Sequence, residues 1–109
     1  MPSARLRMTM PTQFVLRALL EDPTAEMYGL EIGAAAGLAS GTVHPILARL
    51  EGVGWVESRW EDINPRVEGR PARRYYRLTA GGMASARVAL AQAYRPARIS
   101  HLRPVQDST

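Results

Sequence analysis

The chain has 109 residues, a net charge of +4 from fourteen basic and ten acidic side chains, and no cysteine. That length holds one domain with a modest core, which dimerisation would extend. The absence of cysteine excludes disulfides, thiolate nucleophiles and thiolate metal sites, and the basic excess points to a polyanionic partner. Every basic residue is arginine. That choice suits forked hydrogen bonding to phosphate or guanine, and a GC-rich genome would produce it equally well.

Residues 1–10 show no periodicity and read as a loose arm. In "PTQFVLRALLEDP" a capping-type threonine at the start and the apolar spacing of Phe14, Val15, Ala18 and Leu19 predict a first helix ended by Asp22-Pro23. Arg17 cuts this apolar stretch too early for a signal-peptide core, and no apolar run approaches about 18 residues, so the expected location is the cytosol with no membrane partner. "MYGLEIGAAAGL" predicts a short second helix with Tyr28, Ile32 and Ala35 at helical spacing, ending near Gly37.

Ser40 is the expected N-cap of a third helix, in which Val43, Ile46, Leu47 and Leu50 recur at i, i+3, i+4 and i+7. Gly52 or Gly54 ends it. Two helices joined by a short glycine-containing turn, the second strongly amphipathic, make the helix-turn-helix pattern.

The face opposite the apolar stripe of this helix carries Gly41, Pro45, Ala48 and Gly52, flanked by Thr42 and Arg49 on one side and His44 on the other. A solvated face would carry long charged side chains. A nearly bare one admits another surface close to the backbone, either the major groove of DNA, about 12 Å wide, or a second helix. In the groove Ser40 and Thr42 would bond phosphates or bases, and Arg49 would reach a phosphate or guanine.

"WVESRWEDI" alternates Val56, Ser58 and Trp60 with Glu57, Arg59 and Glu61, a strand signal; "NPRVEGRPA" is dense in turn formers, and "RRYYRLT" is a second strand. The hairpin they form presents Arg66, Arg70, Arg73 and Arg74 at or beside its tip, where they would follow a DNA backbone or remain a solvated charged face. Thr79 caps an alanine-rich helix expected to stop before Pro96, and residues 96–109 read as a poorly ordered tail.

Three segments, "YGLEI" at 28–32, "SGTVHPILARLEGVGWVES" at 40–58 and "GRPARRYYRLTAGG" at 69–82, resemble the PadR family of winged-helix transcriptional regulators over roughly Pro11 to Tyr94. The resemblance implies an α+β, mainly α fold: a winged helix-turn-helix at 11–78 with a two-stranded wing, and a C-terminal dimerisation helix at 79–95. It implies a homodimer that binds double-stranded DNA, usually to repress nearby genes. Carried over by position, Ser40, Gly41, Thr42, Pro45 and Arg49 fall on the recognition helix. Gly69, Arg70, Pro71, Arg73, Arg74, Tyr75 and Tyr76 fall on the wing. Tyr28, in the first matching segment, is counted with the DNA-contacting positions.

His44 stands where the family commonly has tyrosine; it would gain charge near pH 6–7, or act as an ordinary neutral contact. Phe14, Leu16 and Leu19 of the first helix and Met83, Ala86, Leu90 and Tyr94 of the last are the expected dimer contacts, with Arg87 interrupting the second set. A small-molecule effector is a candidate partner because Trp55 and Trp60 offer aromatic surface, although Trp55 equally suits the core. No catalytic set, cofactor motif or metal-ligand spacing is present in the sequence, so no enzyme is expected. The alternatives are a winged-helix protein-interaction module and an architectural or phage-type DNA-binding factor.

Overall fold

A computed structural model describes the backbone of residues 6–107 and the side chains of residues 6–93. Its elements, in chain order, are α1 (Met10–Leu20), β1 (Met27–Tyr28), α2 (Gly29–Ala36), α3 (Ser40–Gly52), β2 (Val56–Trp60), α4 (Pro65–Glu68), β3 (Arg74–Leu78) and α5 (Ala80–Asp107).

Helix α1 starts ahead of its apolar stripe. Thr9 is the N-cap, with its hydroxyl accepting from the Thr12 N–H, and Pro11 sits in the first turn, where its missing N–H costs nothing. Thr12 is not the cap that the sequence offers: it is buried within the helix. The arm is not loose over its described part either. The Gln13 amide donates to the Met8 carbonyl at 2.8 Å, and Leu6 and Met8 pack against the core. Residues 1–5 of the expected arm lie outside the described residues.

The core joins Val15, Leu16 and Leu19 of α1, Ile32 of α2, Val43, Ile46, Leu47 and Leu50 of α3, Val56, Tyr76 and Leu78 of the sheet, and Ala86 of α5. The predicted stripe of α3 is thus entirely inward. Between α2 and α3, Gly37 caps α2 with φ +74°, a left-handed conformation that a side chain would strain. The turn is closed by the Leu38 N–H on the Gly33 carbonyl at 2.9 Å, and α3 follows from an N-cap at Ala39, so that Ser40 is its first helical residue and not its cap.

Strands β2 and β3 pair antiparallel from Val56↔Leu78 to Trp60↔Arg74, and β1 adds to the other edge of β3 through Met27↔Tyr76 and Tyr28↔Tyr75. This third strand was not expected; Met27 and Tyr28 read as helix in sequence. The hairpin tip likewise contains a helical turn, α4, capped by the Asn64 side chain on the Arg66 N–H and closed by Gly69. Thr79 caps α5 as its sequence predicts, taking the Gly82 N–H at 2.9 Å and donating to the Gly54 carbonyl at 2.8 Å.

Helix α5 continues through Pro96 and Pro104, beyond the expected stop before Pro96. A proline removes one internal hydrogen bond and crowds the preceding turn, which bends a helix without necessarily ending it. The tail positions Ser108 and Thr109 lie outside the described residues.

Candidate nucleic-acid interface

Helix α3 has two faces with opposite chemistry. Val43, Leu47 and Leu50 are fully buried and Ile46 nearly so, which fixes the rotation of the helix. Rotation then places Ser40, Gly41, Thr42, His44, Pro45, Ala48, Arg49 and Gly52 on the exposed side. The small Gly41, Ala48 and Gly52 among them leave the backbone within reach of an approaching surface. Pro45, inside α3, removes one internal hydrogen bond of the helix, a local cost in its second turn.

The His44 ring is seated on Gly29, the first residue of α2. A Cβ at position 29 would lie 2.7 Å from His44 Cε1 and 3.1 Å from Nε2. Glycine there is therefore tied to the placement of the imidazole. Glu31 steadies the start of α2 by accepting the Tyr28 N–H at 3.1 Å.

In the wing the arginines are engaged with the protein itself. Arg70 donates to both oxygens of Glu61, at 2.8 and 2.9 Å, and Glu61 also accepts the Arg73 N–H at 3.1 Å. The Arg70 guanidinium, then the Arg73 amide, pull the Glu61 carboxyl down to about 2, while Arg70 is raised by the same bond. Arg73 lies over the Tyr28 ring at 4.3 Å, and Tyr28 meets Tyr75 edge-on at 5.8 Å. Arg74 lies over Trp60 at 5.4 Å, donates to Ser58 at 3.0 Å and pairs with Glu51 at 3.5 Å.

Two more pairs stiffen the sheet. Arg59 forks onto Glu26, with both bonds at 2.7 Å, which lowers the Glu26 carboxyl, and Arg77 pairs with Glu57 directly across the strands at 2.8 Å. Arg66 differs. It is exposed on α4, and among the described residues no carboxylate lies within ion-pair distance of it.

Of the wing arginines expected to follow a DNA backbone or remain a solvated charged face, Arg70, Arg73 and Arg74 thus also have partners within the chain. Glu61, Glu51 and the rings of Tyr28 and Trp60 lie along the wing beside them: the β2–β3 register sets Trp60 against Arg74, the β1–β3 pairing brings Tyr28 alongside, and Glu51 comes from the end of α3.

Of the expected dimer contacts, Leu16, Leu19 and Ala86 are corrected: burial in the chain's own core leaves them no surface for a second copy. Met83 and Leu90 pack against that core, so the inward stripe of α5 serves the monomer. Phe14 is half-buried. The side chain of Tyr94 lies outside the described residues. What α5 leaves outward is a shallow groove of about 400 Å³ bounded by Trp55, Ala84, Val88 and Ala89, with Val88 56% exposed. Trp55 contributes both to the core edge and to this groove; Trp60 is exposed on the wing. A second feature missed in the sequence is a pocket shared by Arg7 of the arm and Arg49 of α3. Only the fixed arm brings these distant positions together.

The model of the Transcriptional regulator PadR-like family matches residues 15–88. A PadR family transcription regulator from a hypervirulent Clostridium difficile strain superposes with a TM-score of 0.62 at 23% identity, covering 84% of this chain and 94% of that one. The PcaV transcriptional regulator from Streptomyces coelicolor gives a TM-score of 0.65 at 22% identity, covering 92% and 69%. Overoxidized AbfR bound to DNA gives 0.59 at 22% identity, covering 93% and 71%. These likenesses show a shared winged-helix fold: α2 and α3 form the helix-turn-helix, and β2, α4 and β3 the wing. No curated protein matches the chain.

Proposed function

Because this chain belongs to the PadR-like family of DNA-binding transcriptional regulators, and so is not an enzyme, we propose that it acts as a homodimeric repressor that reads a pseudo-palindromic operator with the outer face of α3. The observation that carries this reading is the exposed, nearly side-chain-free surface from Ser40 to Gly52 on a helix whose other face is locked into the core. Thr42 and His44 are assigned to base edges, Ser40 and Arg49 to phosphate or base, and Gly41 and Pro45 to close approach. Tyr28, Arg73 and Arg74 shape the wing beside the duplex, and Arg66 is its cation for a backbone phosphate. Two recognition helices one DNA turn apart, about 34–36 Å, would read the two half-sites.

The second copy is assigned to the outward face of α5 around Val88. Where two such faces meet, the groove beside Trp55 would take a small apolar effector that changes the helix spacing. Val88→Glu places a charge in that contact and should convert a dimer into a monomer by light scattering; an unchanged mass would move the interface elsewhere. Among the described residues no helix is long and apolar enough to cross a membrane.

The test is a titration of the protein against its own upstream DNA and a scrambled duplex of equal length, followed by fluorescence anisotropy at several salt concentrations. A preference of about a thousandfold or more for the upstream DNA supports an autoregulatory repressor. Equal and steeply salt-dependent binding favours an architectural factor, and binding to neither favours a protein-interaction module.

A further inference from the structure

We propose that the pocket between the N-terminal arm and α3, lined by Arg7, Thr9, Thr12 and Arg49, is a binding site for a phosphate group. The proposal deepens the operator-reading role where the phosphate is one of DNA, since Arg49 is shared, and goes beyond that role where the phosphate is free. The pocket measures about 320 Å³, at the small end of the roughly 300–1,000 Å³ typical of ligand sites. Every side chain that lines it is either cationic or a hydroxyl.

Two arginines without a carboxylate partner border this one recess. Arg59, Arg74 and Arg77 of the sheet and Arg70 of the wing each have a carboxylate within 4 Å; among the described residues Arg7 and Arg49 have none, as also Arg17, Arg66, Arg73 and Arg87. Two uncompensated guanidinium groups bordering one recess repel each other, and an anion between them reverses the sign of that interaction. The planar fork of each guanidinium suits phosphate, which accepts parallel hydrogen bonds from it.

The hydroxyls complete the donor set. The Thr9 hydroxyl donates to Thr12 Oγ1 at 3.1 Å, which leaves the Thr12 proton for a further acceptor. Thr12 is 3% exposed and so held in one position. The backbone carrying Arg7 is held, because Leu6 and Met8 on either side of it pack on the core and the Met8 carbonyl accepts from Gln13. The site is thus assembled by folding.

A phosphate could come from the DNA backbone flanking the recognition helix or from a free phosphorylated species. Arg7→Ala separates these sources, since it alters the arm and leaves the outer face of α3 intact. In one arm of the experiment, thermal unfolding of the full chain is followed with inorganic phosphate against chloride at equal ionic strength. In the other, the salt dependence of duplex binding is measured. Free phosphate as ligand predicts a phosphate-induced rise in Tm that Arg7→Ala and Thr12→Val both lose. A DNA phosphate as ligand predicts that Arg7→Ala lowers the salt slope by about one unit with an unchanged far-ultraviolet circular dichroism spectrum.

If Arg7→Ala changes neither quantity, the proposal is overturned, while normal duplex binding would leave the operator reading standing. If wild-type protein binds no duplex yet gains Tm from phosphate through Arg7, the operator reading fails and the pocket stands.

Discussion

The wing offers a charge-neutral test of which arginine touches DNA. Arg70 is spoken for: both its Nη atoms lie 2.8–2.9 Å from the Glu61 carboxylate. Arg66, two residues beyond its cap Asn64, is exposed with no carboxylate partner among the described residues. A phosphate contact by Arg66 contributes about 0.9 to the slope of log K against log salt. Over a fourfold change in salt, from about 50 to 200 mM, this is about a 3.5-fold difference in affinity. Arg66→Ala is therefore expected to flatten the slope by about 0.9. The double variant Glu61→Gln, Arg70→Ala removes one charge of each sign, and the new side-chain amide retains an oxygen for the Arg73 N–H. Its slope should equal that of the wild type, with a parallel loss of affinity from a looser wing. Anisotropy titrations of one duplex at four or more salt concentrations give both slopes. The opposite pattern, a slope lost in the double variant and kept in Arg66→Ala, would refute the assignment and return Arg70 to the phosphate backbone.

Gly29→Ala should push the His44 ring aside, since the new Cβ meets Cε1 at 2.7 Å; the ring is the exposed end of a side chain, so operator discrimination is expected to fall by about 1–3 kcal/mol, as for His44→Ala, with Tm little changed. A large fall in Tm would instead make Gly29 a packing requirement. Leu47→Ala, at a fully buried position, should cost about 2–5 kcal/mol in urea unfolding. Glu61 titrates at about 2 in the folded chain against 4.5 ordinarily, so its stabilising bonds are complete above 4.5 and are lost as pH falls through about 2. Wing fluorescence from Trp60 should accordingly be flat from pH 5 to 8 and change only in strong acid, and Glu61→Gln should remove that Glu61-dependent acid transition; a transition near pH 6 would contradict the pairing.

Patterns within about ten residues were readable in the sequence. The spacing of Val43, Ile46, Leu47 and Leu50 specified both the helix and its inward face, and the alternation after Trp55 gave β2 its bounds. The two residues of β1 carry no period, and their pairing with Tyr75 and Tyr76 depends on a partner far along the chain. Helix α4 did have local signals, Asn64 as cap, Pro65 in the first turn and Gly69 at the end, but those residues are also turn formers. The apolar positions of α1 and α5 were legible as apolar; whether they faced the chain's own core or a second copy was not, because hydrophobic spacing is the same for either partner.

That last ambiguity also governed the charges. Arginine count measures potential, whereas the free charge at a surface depends on which carboxylates the fold brings near. The β2–β3 register sets Glu57 against Arg77 and brings Glu61 to Arg70, so much of the apparent basicity of the hairpin is spent internally on stiffness. On the proposed reading, a stiff wing would hold the angle at which α3 meets a groove, and sequence would be read by base-edge contacts, with phosphate contacts setting register. Around α3 the described cations without carboxylates are Arg49 and, across the recess, Arg7. The balance favours selective contact over indiscriminate attraction: few free charges border a helix face that is shaped for close approach.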